Sequence, residues 1–137
     1  MNMTDRLDAE LAPQRNLLAL RGFRQELLAS NIANADTPHY KARDIDFSSA
    51  YAKAMNGQMQ AALAMERTSS GHLKGAGAGA FDGSVAYRTE FQSAVDGNTV
   101  NMDIERAAFA ENAIQMEASL TFIRSKFQGL QTALQGQ

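Results

Sequence analysis

Residues 101–134, NMDIERAAFAENAIQMEASLTFIRSKFQGLQTAL, decide how this chain folds. In them Phe109, Ala113, Met116, Leu120, Ile123, Phe127, Leu130 and Leu134 recur at alternating spacings of four and three residues. An α-helix brings such positions onto one face, and a stripe this long seats that face on another helix. Asn101 stands where an N-cap is wanted, with Asp103 and Glu105 in the first turn and Arg124 and Lys126 late, as the helix macrodipole favours. Ile104, Ala107, Ala108 and Ile114 widen the apolar surface of the first half. The pattern predicts a helix over 102–134, about 48 Å long at 1.5 Å per residue.

A second long helix is predicted over 6–33. Leu7, Leu11 and Leu18 share one face, and Leu17, Leu20, Leu27 and, through Leu28, Ile32 share another. Pro13 lies inside this pattern, where it either kinks the helix or marks its first true turn. Asn34 is suited to a left-handed position after the helix, and Pro38 cannot continue it. Thr37, before Pro38, is pushed to extended geometry.

The middle of the chain reads differently. Residues 39–47, HYKARDIDF, are extended in pattern. Ser48 is the expected N-cap of a short helix near 49–66, with Tyr51, Met55, Met59 and Leu63 recurring every four residues and Gly57 weakening it. Residues 68–84 hold five of the ten glycines and are a loop by composition. Val85, Tyr87 and Thr89 alternate with polar neighbours as in a short edge strand, and Asp96-Gly97 turns the chain toward the last helix. The expected organisation is therefore 1–34 with 101–137 as paired terminal helices and 35–100 as an extended, Gly-rich middle segment. The fold class is all-α, with the terminal helices paired as an antiparallel coiled coil.

Composition narrows the function. The chain has 137 residues, one domain's worth, and its 45% hydrophobic content includes 24 Ala. Leu, Ile, Val and Phe together number only 27. A single helix seam made from so few large side chains does not offset the ordering of two long helices. Metal, disulfide or oligomer is the usual remedy for a thin core, and with no Cys and two His the oligomer remains. Thirteen basic against fifteen acidic residues leave no electrostatic footprint for nucleic acid or anionic lipid. No apolar run is long enough for direct membrane insertion, and Met1–Glu10 lack the apolar core of a cleaved signal peptide.

Candidate chemistry is sparse. Gly75, Gly77 and Ala80 satisfy a relaxed dinucleotide fingerprint, but no apolar strand precedes them and no helix follows. His39 and His72 stand alone without the ligand spacing of a zinc site. No catalytic residue, metal or cofactor is expected, and the charges of both long helices read as solvated faces. Met55, Met59 and Met65 read as ordinary core, with a soft interaction surface as the alternative. Residue by residue, the chain reads as an assembly subunit rather than an enzyme, its helix-seam interface carried by Leu7, Leu11, Leu18, Leu27, Phe109, Met116, Leu120, Ile123, Phe127, Leu130 and Leu134.

Residues 31–47, NIANADTPHYKARDIDF, resemble the signature of bacterial flagellar rod and hook proteins, through Asn31, Asn34, Thr37, Pro38, Tyr40, Arg43, Asp44 and Phe47. The part from Tyr40 to Phe47 is most similar to a proximal rod subunit. Thr68 with His72-Leu73, Tyr87-Arg88, and Asp96-Gly97-Asn98-Thr99-Val100 leading into Asp103 and Glu105 agree in order and spacing. His39 stands where that family usually has Gly, and Met116 where an aromatic is frequent.

The resemblance implies a structural subunit of the flagellar basal body, its terminal helices packed copy beside copy into a helical tube around an export channel. The partners it implies are copies of itself, other rod subunits, the base-adaptor protein and ring at the inner-membrane end, and the export machinery. It places the chain in the periplasm-spanning rod, exported without a cleaved signal. Another axial rod or hook subunit is the nearest alternative, and a soluble helical adaptor or export chaperone the alternative from another class.

Three local expectations follow. Asn31 is either a solvated neighbour of the cap or a register-fixing hydrogen bond to another helix or subunit. Residues 37–40 form a rigid exit turn with Tyr40 anchored on adjacent helices. His39 takes either the left-handed conformation that Gly would adopt without strain, which is the favoured reading, or an ordinary negative φ.

Overall fold

The computed structural model describes residues 2–56, 81, 84–89 and 95–136. Its elements are α1 (Met3–Ala33), β1 (Arg43–Ile45), α2 (Phe47–Met55), β2 (Val85–Tyr87) and α3 (Met102–Gln135). Asn101 caps α3 as expected, its side-chain oxygen accepting the N–H groups of Asp103 at 3.1 Å and Ile104 at 3.3 Å. The helix stops at Gly136, which is left-handed at φ +70.

At the other end of the chain, α1 runs unbroken through Pro13, so that residue is not its first turn. The end of α1 corrects one expectation. Asn34 has φ −103 and ψ 17, not the left-handed values expected of it. Its side-chain amide donates to the Ser30 carbonyl at 2.8 Å, and its main-chain N–H reaches Ser30 and Asn31, so the last carbonyls find donors without a left-handed residue.

The cap of α2 is a second correction. Asp46, not Ser48, precedes the helix and accepts the Ser49 N–H. A carboxylate acceptor placed two residues earlier captures the start and draws Ser48 into the first turn. The expected continuation of this helix to Glu66, with Met59, Leu63 and Met65, lies outside the described residues. So does the glycine-rich loop near 68–84, apart from Phe81 and Ser84.

The class is mostly helical, but not purely so. β1 and β2 pair antiparallel, with Arg43 opposite Tyr87, Asp44 opposite Ala86 and Ile45 opposite Val85. Arg88 extends this pairing by donating its N–H to Ala42 O at 3.0 Å, and the stretch just after Pro38 bonds instead to residues 96–99. His39 donates its N–H to Asp96 O at 3.0 Å, and Thr99 donates its N–H to Tyr40 O at 3.1 Å.

The long helices pack on each other. Hydrogen bonds from Asn31 to Glu105, from Asn112 to Gln25 and from Lys126 to Glu10 join positions that fall along α1 as they rise along α3. The pair is therefore antiparallel and keeps one register over about 32 Å.

Most of the buried apolar core lies on another face of α1, under the middle segment. Leu20, Leu27, Ile45 and Ala50 form it, with Phe23, Phe47, Tyr51, Phe81 and Val85 packed around them. The Phe23 and Phe81 rings meet with centroids 5.5 Å apart. Of the residues expected on the helix seam, Leu27 alone is buried, and it belongs to this core. Leu7, Leu11, Leu18, Phe109, Met116, Leu120, Ile123 and Leu130 are half-buried. Phe127 and Leu134 remain 51% and 77% exposed, so the buried contact of the pair does not reach them. Two helices cover only one flank of each other, and near the free ends neither α2 nor the strands are present to close the other.

Candidate functional site

The motif residues converge where α1, the exit turn, the strands and the start of α3 meet. Asn31 lies two helical turns beyond Arg24 on the same side of α1 and is fully buried. Its Oδ1 accepts the Arg43 N–H at 3.0 Å, and its Nδ2 donates to the Arg43 carbonyl at 2.7 Å. The same Nδ2 donates to Glu105 Oε2 of α3 at 3.1 Å. The register-fixing role is thus the one Asn31 fills within the chain.

Arg24 and Asp44 form a two-pronged pair, Nε to Oδ1 at 3.0 Å and the terminal nitrogen to Oδ2 at 3.1 Å. Arg88, just past β2, bridges Asp44 Oδ2 at 2.7 Å and Glu105 Oε1 at 2.6 Å. Arg24, Asp44, Arg88, Glu105 and Asn31 therefore close a ring that runs from α1 to β1, past β2 to α3, and back to α1. The ring holds two cations and two anions, so it neutralises itself.

Burial alone would push the Asp44 carboxyl up. Hydrogen bonds from Arg24, Arg88 and the Ile45 N–H outweigh it and hold the group below the usual carboxylate range. The bond to Asp44 in turn raises the Arg24 guanidinium above its ordinary value. Burial lowers the Arg21 guanidinium, and Arg24 beside it adds to the effect. Arg21 lies 3.9 Å above the centre of the Phe47 ring, which fixes that motif residue against α1.

The exit turn is held from both sides. Thr37 donates from its hydroxyl to Asn34 Oδ1, and the Tyr40 hydroxyl lies 3.2 Å from Ser30 Oγ and donates to Asn31 Oδ1 at 3.4 Å. Tyr40 is thus anchored on α1, as expected, while Thr37 and Pro38 face solvent. His39 is the one non-glycine residue of positive φ among those described, at φ 60. Its imidazole lies over Gly97, itself at φ +74, and a Cβ added to Gly97 would stand 2.8 Å from His39 Nδ1.

Three contributions escaped the sequence reading. Asn98, 4% exposed, gathers the Asn34, Ala35 and Thr37 carbonyls on one amide nitrogen at 3.0, 2.7 and 2.8 Å. Asn112 is fully buried on the seam and donates to Arg21 O at 2.9 Å and Gln25 Oε1 at 2.6 Å. A polar residue between Phe109 and Met116 on an apolar stripe was the available signal. Glu105, read as a first-turn helper on a solvated face, is instead 1% exposed and sits in the ring. The available signal was its spacing: Glu105 stands four residues before Phe109 and seven before Asn112, on the seam side of α3, whereas Asp103 falls on the far side and is exposed.

This is a structural junction. Among the described residues no group of His, Asp and Glu could hold a metal ion, and no helix is long and apolar enough to cross a membrane. What the arrangement does chemically is to fix two helices and a turn relative to one another.

The profile of the family described as "Flagella basal body rod protein" matches residues 18–41, the second half of α1 and the exit turn. The chain is 45% identical to the flagellar basal body rod protein FlgB of Salmonella typhimurium over 98% of its own length and 99% of the relative's. It is 44% identical to the FlgB of Escherichia coli over 97% and 98%, and 42% identical to that of Cereibacter sphaeroides over 93% and 95%. The chain belongs to the flagellar basal body rod protein family, and it is a structural rod subunit, not an enzyme.

Proposed function

We propose that this subunit works in the proximal rod by stacking its helix pair beside those of neighbouring subunits, around the export channel, so that torque passes through a stiff wall. The observation that carries this reading is the closed ring of Arg24, Asp44, Arg88, Glu105 and Asn31, which sets α1 and α3 in one register. A polar ring is satisfied in one geometry only, so it resists sliding of one helix past the other better than an apolar seam does. In the assembled rod the two helices supercoil as a coiled coil along the seam. The subunit contacts copies of itself, other rod subunits, and the base-adaptor protein and ring at the inner-membrane end. It reaches the periplasm through the flagellar export machinery.

Replacing Leu120 by Asp tests this reading, because it places a carboxylate in the half-buried seam. The variant is expected to be made and exported but to leave cells non-motile. Full motility with Leu120→Asp contradicts the stacked-helix reading.

A further inference from the structure

Arg43 is the one arginine of the junction whose side chain the fold does not use. Asn31 fastens its main chain, yet its guanidinium makes no hydrogen bond or ion pair among the described residues. Arg24 and Arg88, by contrast, each hold a carboxylate. Those charges already cancel within the ring, so the single chain has no work there for a third guanidinium.

Tyr87 of β2 stands directly opposite Arg43 of β1. Residues opposite each other in an antiparallel pair share a face and lie within reach of one another. Tyr87 is 73% exposed, and its hydroxyl has no partner among the described residues. One pair further along, the same face is closed, because Ile45, opposite Val85, is buried in the core. The core therefore stops short of the Arg43–Tyr87 pair. Lys41, two residues before Arg43, is exposed and adds a second cation, its ammonium 3.3 Å from the Gly97 carbonyl. The main chain beneath these groups is pinned by Asn31 on Arg43, by the Thr99 N–H on Tyr40 O and by the Arg88 N–H on Ala42 O. The pair is thus presented on a rigid base, which lowers the entropy lost when something binds it.

We infer that Arg43 and Tyr87, with Lys41 beside them, dock an acidic segment of a different protein. A guanidinium offers a carboxylate two parallel N–H donors, and the phenol hydroxyl offers a third. Arginine and tyrosine are also among the side chains that carry most binding energy at interfaces. A second copy of this chain does not supply the acid. Its closest grouping of exposed acids, Asp5, Asp8 and Glu10, is countered by Arg6 and Lys126. Asp5 there caps its own helix, and Glu10 pairs with Lys126 at 3.5 Å. The inference rests on the rod reading above and adds the chemistry of one neighbour.

A benzophenone amino acid in place of Tyr87, activated by light in basal bodies purified from cells, tests it. The expected product joins position 87 to a stretch of a different protein that carries Asp or Glu, identified by mass spectrometry. In parallel, purified Arg43→Glu chain should unfold at the urea midpoint of the parent, while its amount in basal bodies falls about tenfold, the effect of losing roughly 1.4 kcal/mol of contact. Changing the cross-linked acid to Arg should restore assembly of the Arg43→Glu chain. A product with a second copy or with a stretch lacking acids overturns the inference. So does Arg43→Glu assembling at parental level, losing stability in isolation, or failing to be rescued by the reciprocal change. Absence of the unsubstituted chain from basal bodies overturns the rod reading itself.

Discussion

The side-chain amide of Asn31 holds both main-chain groups of Arg43, accepting its N–H at 3.0 Å and donating to its carbonyl at 2.7 Å. It stands at the free edge of β1 where a third strand would otherwise bond, and its nitrogen also reaches Glu105 of α3. One residue of α1 thus positions both the strand and the partner helix.

Asn31→Ala should therefore destabilise the chain far more than a surface change. It strands a buried N–H, a buried carbonyl and one oxygen of Glu105, which together cost about 2–4 kcal/mol. Urea unfolding followed by circular dichroism measures it, and a loss under about 0.5 kcal/mol contradicts the role given to Asn31.

Arg88 and Glu105 should be strongly coupled. Removing Arg88 leaves the 1%-exposed Glu105 carboxylate without its cation, at a cost of about 3 kcal/mol. Arg88→Met combined with Glu105→Gln should cost less than the two single changes added together. Strict additivity in a double-mutant cycle would show that the pair does not interact.

Much of this architecture was legible in the sequence, and the boundary of what was legible is physical. The two long helices, the Asn101 cap and the strand at Val85 follow from local periodicity and turn chemistry, while the left-handed His39 was expected because the resembled family usually has Gly there. Asp44 and Arg43 stood out only through a family resemblance. Their partners Arg24, Arg88 and Glu105 lie 20, 44 and 74 residues from Asp44 or Asn31, and no local pattern encodes such pairings. The same holds for Asn98, which reaches carbonyls more than sixty residues away. The all-α expectation included the strand at Val85 but not its partner Arg43–Ile45, whose three residues are too few to show periodicity and read only as part of an extended stretch.

Acid should open the junction through Asp44. Its carboxyl is held below the usual range in the folded chain, so its contribution to stability is complete above the unfolded value of about 3.9 and is lost as pH falls through the lower, folded value. The urea midpoint should drop on acidification from pH 5 toward about 2, and Asp44→Asn should be weaker at neutral pH but flatter in that window. An equal acid slope in both chains would remove Asp44 from the account.

The turn should tolerate glycine and reject branching. At φ 60, His39 holds a conformation that is strained for any residue with a Cβ. His39→Gly should stay within about 1 kcal/mol of the parent, the relief of strain being offset by added freedom in the unfolded chain. His39→Val should cost more, about 1–2 kcal/mol, because β-branching crowds the left-handed region. Thermal melts of the three chains give the order Gly, His, Val or contradict it.

Protection should be graded along the helix pair in the isolated chain. Residues 20–31 and 105–116 carry the core, the ring and Asn112, whereas the far end has one exposed ion pair, Lys126 to Glu10 at 3.5 Å, and uncovered Phe127 and Leu134. Hydrogen exchange should be slow in the first region and fast over 3–12 and 124–135. Uniform protection along both helices would contradict the gradient.

The central claim is that this chain is a rod subunit whose helix pair is fixed in register at the exit turn. Electron microscopy of the intact basal body, at a resolution that places side chains, tests it most directly. The account predicts α1 and α3 paired antiparallel in the wall of the proximal rod, with the Asn31 amide on Arg43 and Glu105 and with Arg88 between Asp44 and Glu105. A proximal rod in which the two helices are separated, or paired in another register with Asn31 turned to solvent, would contradict it.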